Sequence, residues 1–265
     1  MPRPFWRHSS RWGPAALLVG LLLAAWEAFA RLTAAPAWLL PAPSAIARAG
    51  VAAAPLLAGH VWRTLIEALL GLALAVVTGV GLAVLIDLSA VLKRALYPLL
   101  VVSQTVPTIA LAPLLMVWFG FGLLPKVLVV ALVCFFPVAM SMAQGLEATD
   151  PDLNALLASM GASRSQIFRK ARFPGALPAA FGGLRIAATY SVIGAVIAEW
   201  VGASKGLGIF MIRASNSFLT ARLFAAIALA SVLSLVLFGA VLLLERLALP
   251  WYFAARRQER WEDIR

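Results

Sequence analysis

Charge is scarce in this chain: only 12% of its 265 residues are Asp, Glu, Lys or Arg, against 63% that are hydrophobic. Soluble domains carry about 25% charged residues, and a single core of this size could not hide so much apolar surface. A water-soluble globule is therefore excluded, and the excess must face lipid. Cysteine is limited to Cys134, which rules out a disulfide framework or a thiolate zinc site and reads as a small packing residue. The two histidines, His8 and His60, have no partners at metal-ligand spacing and read as surface residues. Gly-x-Ser-x-Gly and His-Glu-x-x-His are both missing, so no hydrolytic or metal-dependent active site is written here. Gly-x-x-x-x-Gly-Lys-Ser/Thr is missing too. Gly202 to Gly208 is glycine-rich and holds Lys205, but the spacing is wrong, and it reads as a flexible external turn. Acidic residues are half as many as basic ones, 11 against 22. The positive charges sit between apolar runs, which points to asymmetry across a membrane and away from nucleic acid.

A helix needs about 20 mostly apolar residues to cross about 30 Å of hydrocarbon. Six stretches qualify: 14–32, 64–86, 96–119, 123–145, 179–201 and 223–247. The chain reads as an all-α membrane protein with six transmembrane helices. Pro107, Pro113 and Pro137 fall inside these runs and are expected to be tolerated where neighbours satisfy the freed carbonyls. Of the 22 basic residues, 15 lie on the side that holds both termini and the loop after the fourth span. By the positive-inside rule that side is the cytoplasm. The first span, with Ala28-Phe29-Ala30 near its end, also resembles a signal peptide. Trp26 and Glu27 interrupt its apolar run, which favours retention.

The organisation expected is a tail, first span and external segment over 1–60, a transport domain over 61–249, and a basic tail over 250–265. The external segment from Ala35 to Val61, with four prolines, reads as extended. Trp6, Trp12, Trp38, Trp62 and Trp251 read as interface anchors. Gly71, Gly79, Gly81, Gly182, Gly183 and Gly194 read as close-packing positions. Glu27 and Glu67 read as interfacial, with Arg63 one turn before Glu67 as its partner.

The loop over 146–178 is the longest on the cytoplasmic side. Asp150 can cap a helix that has Pro151 at its first position and Asp152 in its first turn. Leu153, Leu156, Leu157 and Met160 then form an apolar face, and Gly161 ends the helix. Ser163 with Gln166 is a capping-box pattern that starts a second helix, which Pro174 is expected to end. On the residues alone, this helix–Gly–helix unit suits docking to a partner or lying on anionic lipid.

The segment from Ala155 to Pro174 resembles the signature cytoplasmic loop of binding-protein-dependent ABC importer permeases: Glu-Ala-Ala, three residues, Gly, nine residues, Ile-x-Leu-Pro. Gly161 and Pro174 have the right separation; Ala155, Ala171 and Phe173 replace the pattern's Glu, Ile and Leu. Ser103-Gln104-Thr105-Val106-Pro107, Ala112-Pro113-Leu114, Trp118 to Gly122 and Ala198 to Ala203 are similar to the branch importing nitrate, taurine, aliphatic sulfonates and thiamine-pyrimidine precursors. The third to fifth spans look most like the last of these.

The resemblance implies a cytoplasmic ATPase that binds ATP and Mg, with no cofactor in this chain. It also implies an extracytoplasmic binding protein, a second permease copy and a bacterial inner-membrane location. It implies docking through Asp152, Leu153, Leu156, Leu157, Met160, Gly161, Ala162, Ser163 and Pro174.

Polar residues at membrane depth are candidates for the translocation path: Ser103, Gln104, Thr105 and Thr108 on the third span, and Thr189, Tyr190 and Ser191 on the fifth. Glu199 is a candidate external contact for substrate or binding protein, in competition with a pair to Arg213 or Lys126. The rival class is an autonomous carrier or channel, for which two matching halves would be usual.

Overall fold

The computed structural model describes residues 13–33, 36 and 38–254. His8, Trp6, Trp12, the N-terminal arginines and the arginines of the basic tail lie outside the described residues. Among those described there is no strand, and eleven α-helices account for nearly the whole chain. They are α1 (Gly13–Leu32), α2 (Pro43–Ala52), α3 (Ala54–Leu88), α4 (Ala90–Ser103), α5 (Thr108–Phe119), α6 (Leu124–Glu147), α7 (Pro151–Ser159), α8 (Arg164–Ile167), α9 (Phe173–Trp200), α10 (Leu207–Asn216) and α11 (Thr220–Ala248).

Five helices are long and apolar enough to cross a membrane: α1, α3, α6, the run Arg164–Trp200 that contains α9, and α11. The sixth expected span is broken. It forms α4 and α5, bent by 97° across Gln104–Pro107. Pro107 has no N–H to give and disfavours helix at the residue before it. The chain tightens there into i→i−3 bonds, Gln104 N to Val101 O at 3.1 Å and Thr105 N to Val102 O at 2.9 Å. Pro113 and Pro137 stay inside their helices, as expected.

The segment after α1 is not extended as read from its prolines. Pro43 and Pro55 stand in the first turns of α2 and α3, where a missing N–H goes unnoticed. Glu27 reaches across from α1 and accepts from the Ser44 N–H and hydroxyl at 2.9 and 2.7 Å, which fastens α1 to α2. Trp38, Trp62 and Trp251 are exposed, as interface anchors require.

The core is a layer of helices with α6 packed between α3 and α9, and α11 against α9. Its apolar centre takes Ala68, Leu72 and Ala75 from α3, Val130, Cys134 and Val138 from α6, Ala187, Ala188, Val192 and Ala195 from α9, and Leu233, Leu237 and Val241 from α11. Small residues dominate because membrane helices gain from close backbone approach more than from exclusion of water. Four of the six glycines take part: a Cβ on Gly71, Gly79, Gly183 or Gly194 would meet the facing helix. Gly81 and Gly182 have open space around them in this chain, so the packing reading fails there.

At Gly183 an added Cβ would stand 2.2 Å from the Pro137 carbonyl oxygen and 2.5 Å from Ser141 Oγ. Backbone cannot move aside as a side chain can, and overpacking costs about 1–3 kcal/mol or more. Gly183→Ala is therefore expected to lower the melting temperature in detergent by several degrees, while Gly182→Ala leaves it within about a degree. Equal melting of the two variants would contradict this helix contact.

Candidate docking loop and translocation surface

The loop after α6 folds by its own capping residues. Asp150 Oδ1 accepts from the Asp152 N–H at 2.8 Å to start α7. The helix ends in a Schellman arrangement: Ala162 N–H donates to Leu157 O and Gly161 N–H to Ala158 O, both at 3.0 Å. This closure requires the left-handed residue Gly161, at φ +84°. Ser163 and Gln166 then form the expected capping box, with Ser163 N–H donating to Gln166 Oε1 at 2.7 Å and Gln166 N–H to Ser163 Oγ at 3.3 Å.

Pro174 does not end the second helix. Residues Phe168–Arg172 form a π turn that runs directly into α9, with Pro174 in its first turn. A proline ring clashes with the carbonyl four residues earlier in a regular helix. Here that carbonyl belongs to Lys170, inside the wider π turn, which relieves the clash.

Of the expected docking residues, Asp152, Leu153, Leu156, Met160, Gly161 and Ser163 are exposed, with Leu156 at 57% and Met160 at 75%. Leu157, Ala162 and Pro174 are half-buried. The unit is held to the body on its other side. Arg172 donates to Asp87 at 2.6 Å and to Leu146 O at 3.1 Å. Phe168 and Phe173 pack on Met142, Ala143, Leu146 and Ala176. Lys93 pairs with Glu147, which ties α4 to the end of α6.

The path candidates separate into two groups. Ser103, Gln104 and Thr105 are exposed at the α4–α5 break, Thr108 is half-buried, and Tyr190 on α9 is 46% exposed. Thr189 is half-buried and donates to Arg185 O at 3.2 Å. Ser191 is different: it is fully buried and donates to the Ala188 carbonyl at 2.8 Å. It faces the core, and its assignment to the path is corrected.

Glu199 does not face outward either. It is fully buried; Oε1 accepts from Thr64 Oγ1 at 2.6 Å and Oε2 from the Gly208 N–H at 2.5 Å. Neither Arg213 nor Lys126 is its partner. The Thr64 oxygen also accepts from the Leu207 N–H at 2.9 Å. His60, expected at the surface, is buried with Nδ1 3.0 Å from Gly206 N and 2.8 Å from Gly206 O. The glycine-rich turn read as flexible thus has its end fastened to α3 and α9, and Gly206 at φ +136° allows the carboxylate to approach.

Glu67 is likewise buried, not interfacial. Its Oε1 takes Arg63 at 2.8 Å, as expected, and also the buried Lys126 at 3.1 Å. Sequence reasoning missed this network. The available signal was His60, Thr64 and Glu67 at i, i+4 and i+7, one polar face on an otherwise apolar span.

Residues 71–249 match the family described as binding-protein-dependent transport system inner membrane component. The chain belongs to that family. It is a permease subunit of an ABC importer, a transport component and not an enzyme. The chain is 40% identical over 232 residues to the formylaminopyrimidine transport permease protein ThiX of Halalkalibacterium halodurans, covering 87% of this chain and 92% of that one. The taurine transport system permease protein TauC of Escherichia coli is 34% identical over 194 residues, 73% of this chain and 70% of its own. Among solved structures, the inward-facing MetNI methionine ABC transporter aligns with a TM-score of 0.64 at 22% identity, covering 72% of this chain and 97% of that one. The fold is shared with that transporter's membrane subunit.

Proposed function

We propose that this permease imports a small heteroaromatic solute of the formylaminopyrimidine type. The extent of the match to ThiX, nearly end to end in both chains, carries this reading. The match to TauC favours taurine or a related sulfonate as the second reading. Solute would be delivered by an extracytoplasmic binding protein and would pass between two copies of this chain in the bacterial inner membrane. The exposed polar break at Ser103–Thr105 and the exposed Tyr190 support these residues as lining the path. Both termini lie in the cytoplasm on this reading, following the distribution of basic residues. Lipid covers the remaining apolar surface, and nucleic acid has no part.

Energy comes from a separate ATPase, which binds ATP and Mg. The exposed apolar face of α7 supports it as the docking element, since Leu156 and Met160 are held out by a loop rigidly capped at both ends. Closure of the ATPases would shift α7 and with it the attached spans, a coupling between discrete packed arrangements. In a pull-down from detergent with the cognate ATPase, a Leu156→Asp/Met160→Asp variant is expected to lose at least about tenfold of the captured partner, since each apolar side chain withdrawn from an interface core forfeits about 1–3 kcal/mol. Undiminished capture would remove α7 from the interface. For the substrate, uptake of labelled formylaminopyrimidine against taurine by reconstituted transporter with each binding protein decides between the two readings.

A further inference from the structure

A cavity of about 920 Å³ opens behind the docking loop, where the loop meets the ends of the spans. Its walls include Thr149 after α6, Asp150 and Leu157 of the α7 unit, Lys170 of the π turn, and Trp251 and Tyr252 just past α11. Most of the wall is apolar carbon, yet it carries one cation and one anion. Lys170 is exposed and has no ion-pair partner among the described residues. Asp150 uses Oδ1 to cap α7 and leaves Oδ2 without a partner among the described residues. The Thr149 hydroxyl oxygen is buried and makes no hydrogen bond among the described residues. The two charges share a wall without pairing with each other, so a ligand with both signs would meet both.

The position narrows the ligand further. The apolar runs of α6, the α9 rod and α11 all end at this cavity, and Trp251, half exposed, stands where aromatic side chains mark the membrane–water boundary. A molecule that reaches this place carries its polar group at the boundary and its apolar part in the bilayer. Its polar group needs an anion for Lys170 and, in the same cavity, a cation with N–H donors for Asp150.

We propose that this cavity binds the headgroup of an aminophospholipid of the phosphatidylethanolamine type. The phosphate takes Lys170 and the Thr149 hydroxyl, the primary ammonium takes the free oxygen of Asp150, and the acyl chains leave along the apolar wall into the bilayer. Phosphatidylglycerol offers Asp150 no cation. Phosphatidylcholine offers a bulkier cation with no N–H to donate. A lipid seated here ties the base of the docking loop to the membrane surface. The proposal needs the chain to lie in a bilayer, which family membership supplies, and it does not depend on the substrate or on the ATPase.

The test uses the full-length permease, delipidated in mild detergent and offered an equimolar mixture of phosphatidylethanolamine, phosphatidylglycerol and phosphatidylcholine, with the adducts read by native mass spectrometry. Wild type is expected to retain phosphatidylethanolamine about tenfold over either competitor, the discrimination that one charge-assisted hydrogen bond confers. Lys170→Gln should lower that adduct about tenfold. Asp150→Asn keeps a helix cap but should bring the ethanolamine-to-glycerol ratio to about one, because the ammonium loses its charged partner. Equal retention of the three lipids by wild type would overturn the proposal. So would a selectivity that both variants preserve, and so would retention of phosphatidylglycerol at or above that of phosphatidylethanolamine, which would mark only a cationic patch.

Discussion

Glu67→Ala is expected to lower the stability of the permease by about 3–5 kcal/mol, because it strands a buried lysine. Lys126 and Glu67 are both essentially inaccessible, and their contact at 3.1 Å is the means by which the ammonium is tolerated between α3 and α6. Arg63, about one-third exposed, can turn to water when its partner goes; Lys126 cannot. At about 2–4 °C per kcal/mol for a chain of this size, thermal unfolding in detergent should fall by roughly 6–20 °C. The companion measurement is the Glu67→Met/Lys126→Met double variant. Replacing a buried pair by apolar residues of similar volume is often neutral or stabilising, so the double variant should recover most of the loss. A single variant as stable as wild type, or a double variant no better than the single, would mean that this ion pair does not bear on packing.

Gly161→Val is expected to abolish coupled transport without unfolding the chain. A Cβ at this position would meet nothing within 4 Å, so the effect is not a clash. It lies in the backbone: at φ +84° a β-branched residue costs about 1–2 kcal/mol, and the Schellman closure of α7 depends on that angle. A helix of only nine residues has little else to hold it. ATPase capture and substrate uptake should both fall at least about tenfold, while gel-filtration behaviour stays unchanged. Gly161→Asn supplies the control, because Asn tolerates the left-handed region and should retain most of the uptake. Full transport by Gly161→Val would detach this turn from the coupling step.

Much of this was legible in the residues. Apolar run length located α1, α6 and α11 to within a few residues at both ends, because length against hydrocarbon thickness is a strong and local signal, whereas α3 begins ten residues and α9 six residues before their apolar runs. The capped loop after α6 was legible for the same reason: Asp150, Gly161 and the Ser163–Gln166 box act on neighbours a few positions away. The break at Pro107 was not, because a proline inside a span is kept or broken according to what its neighbours offer, and Pro113 and Pro137 were kept. The helices α2 and α10 were also missed, since ten residues carry too little periodicity to announce themselves. Glu199 was placed outside because an acid near a span end usually faces water. Its actual partners, Thr64 and Gly208, include one 135 positions away, and no local pattern states such a pairing. His60 and Lys126 fail for that reason too.

The continuous helical run from Arg164 to Trp200 has a consequence for how force travels. With 37 residues it is a rod about 55 Å long at 1.5 Å per residue. Near its midpoint Gly183 lets it approach the α6 backbone at Pro137, where an added Cβ would stand 2.2 Å from the carbonyl oxygen. Such a contact can serve as a fulcrum. A tilt of about 10° about it carries the two ends about 5 Å in opposite directions, by the geometry of a rigid helix. One end follows directly on α7 and the Gly161 turn; the other holds, through Glu199, the turn that leads into α10. A seesaw of this kind needs no wire of intermediates between its arms, and what one arm gains in displacement the other returns with its sign reversed.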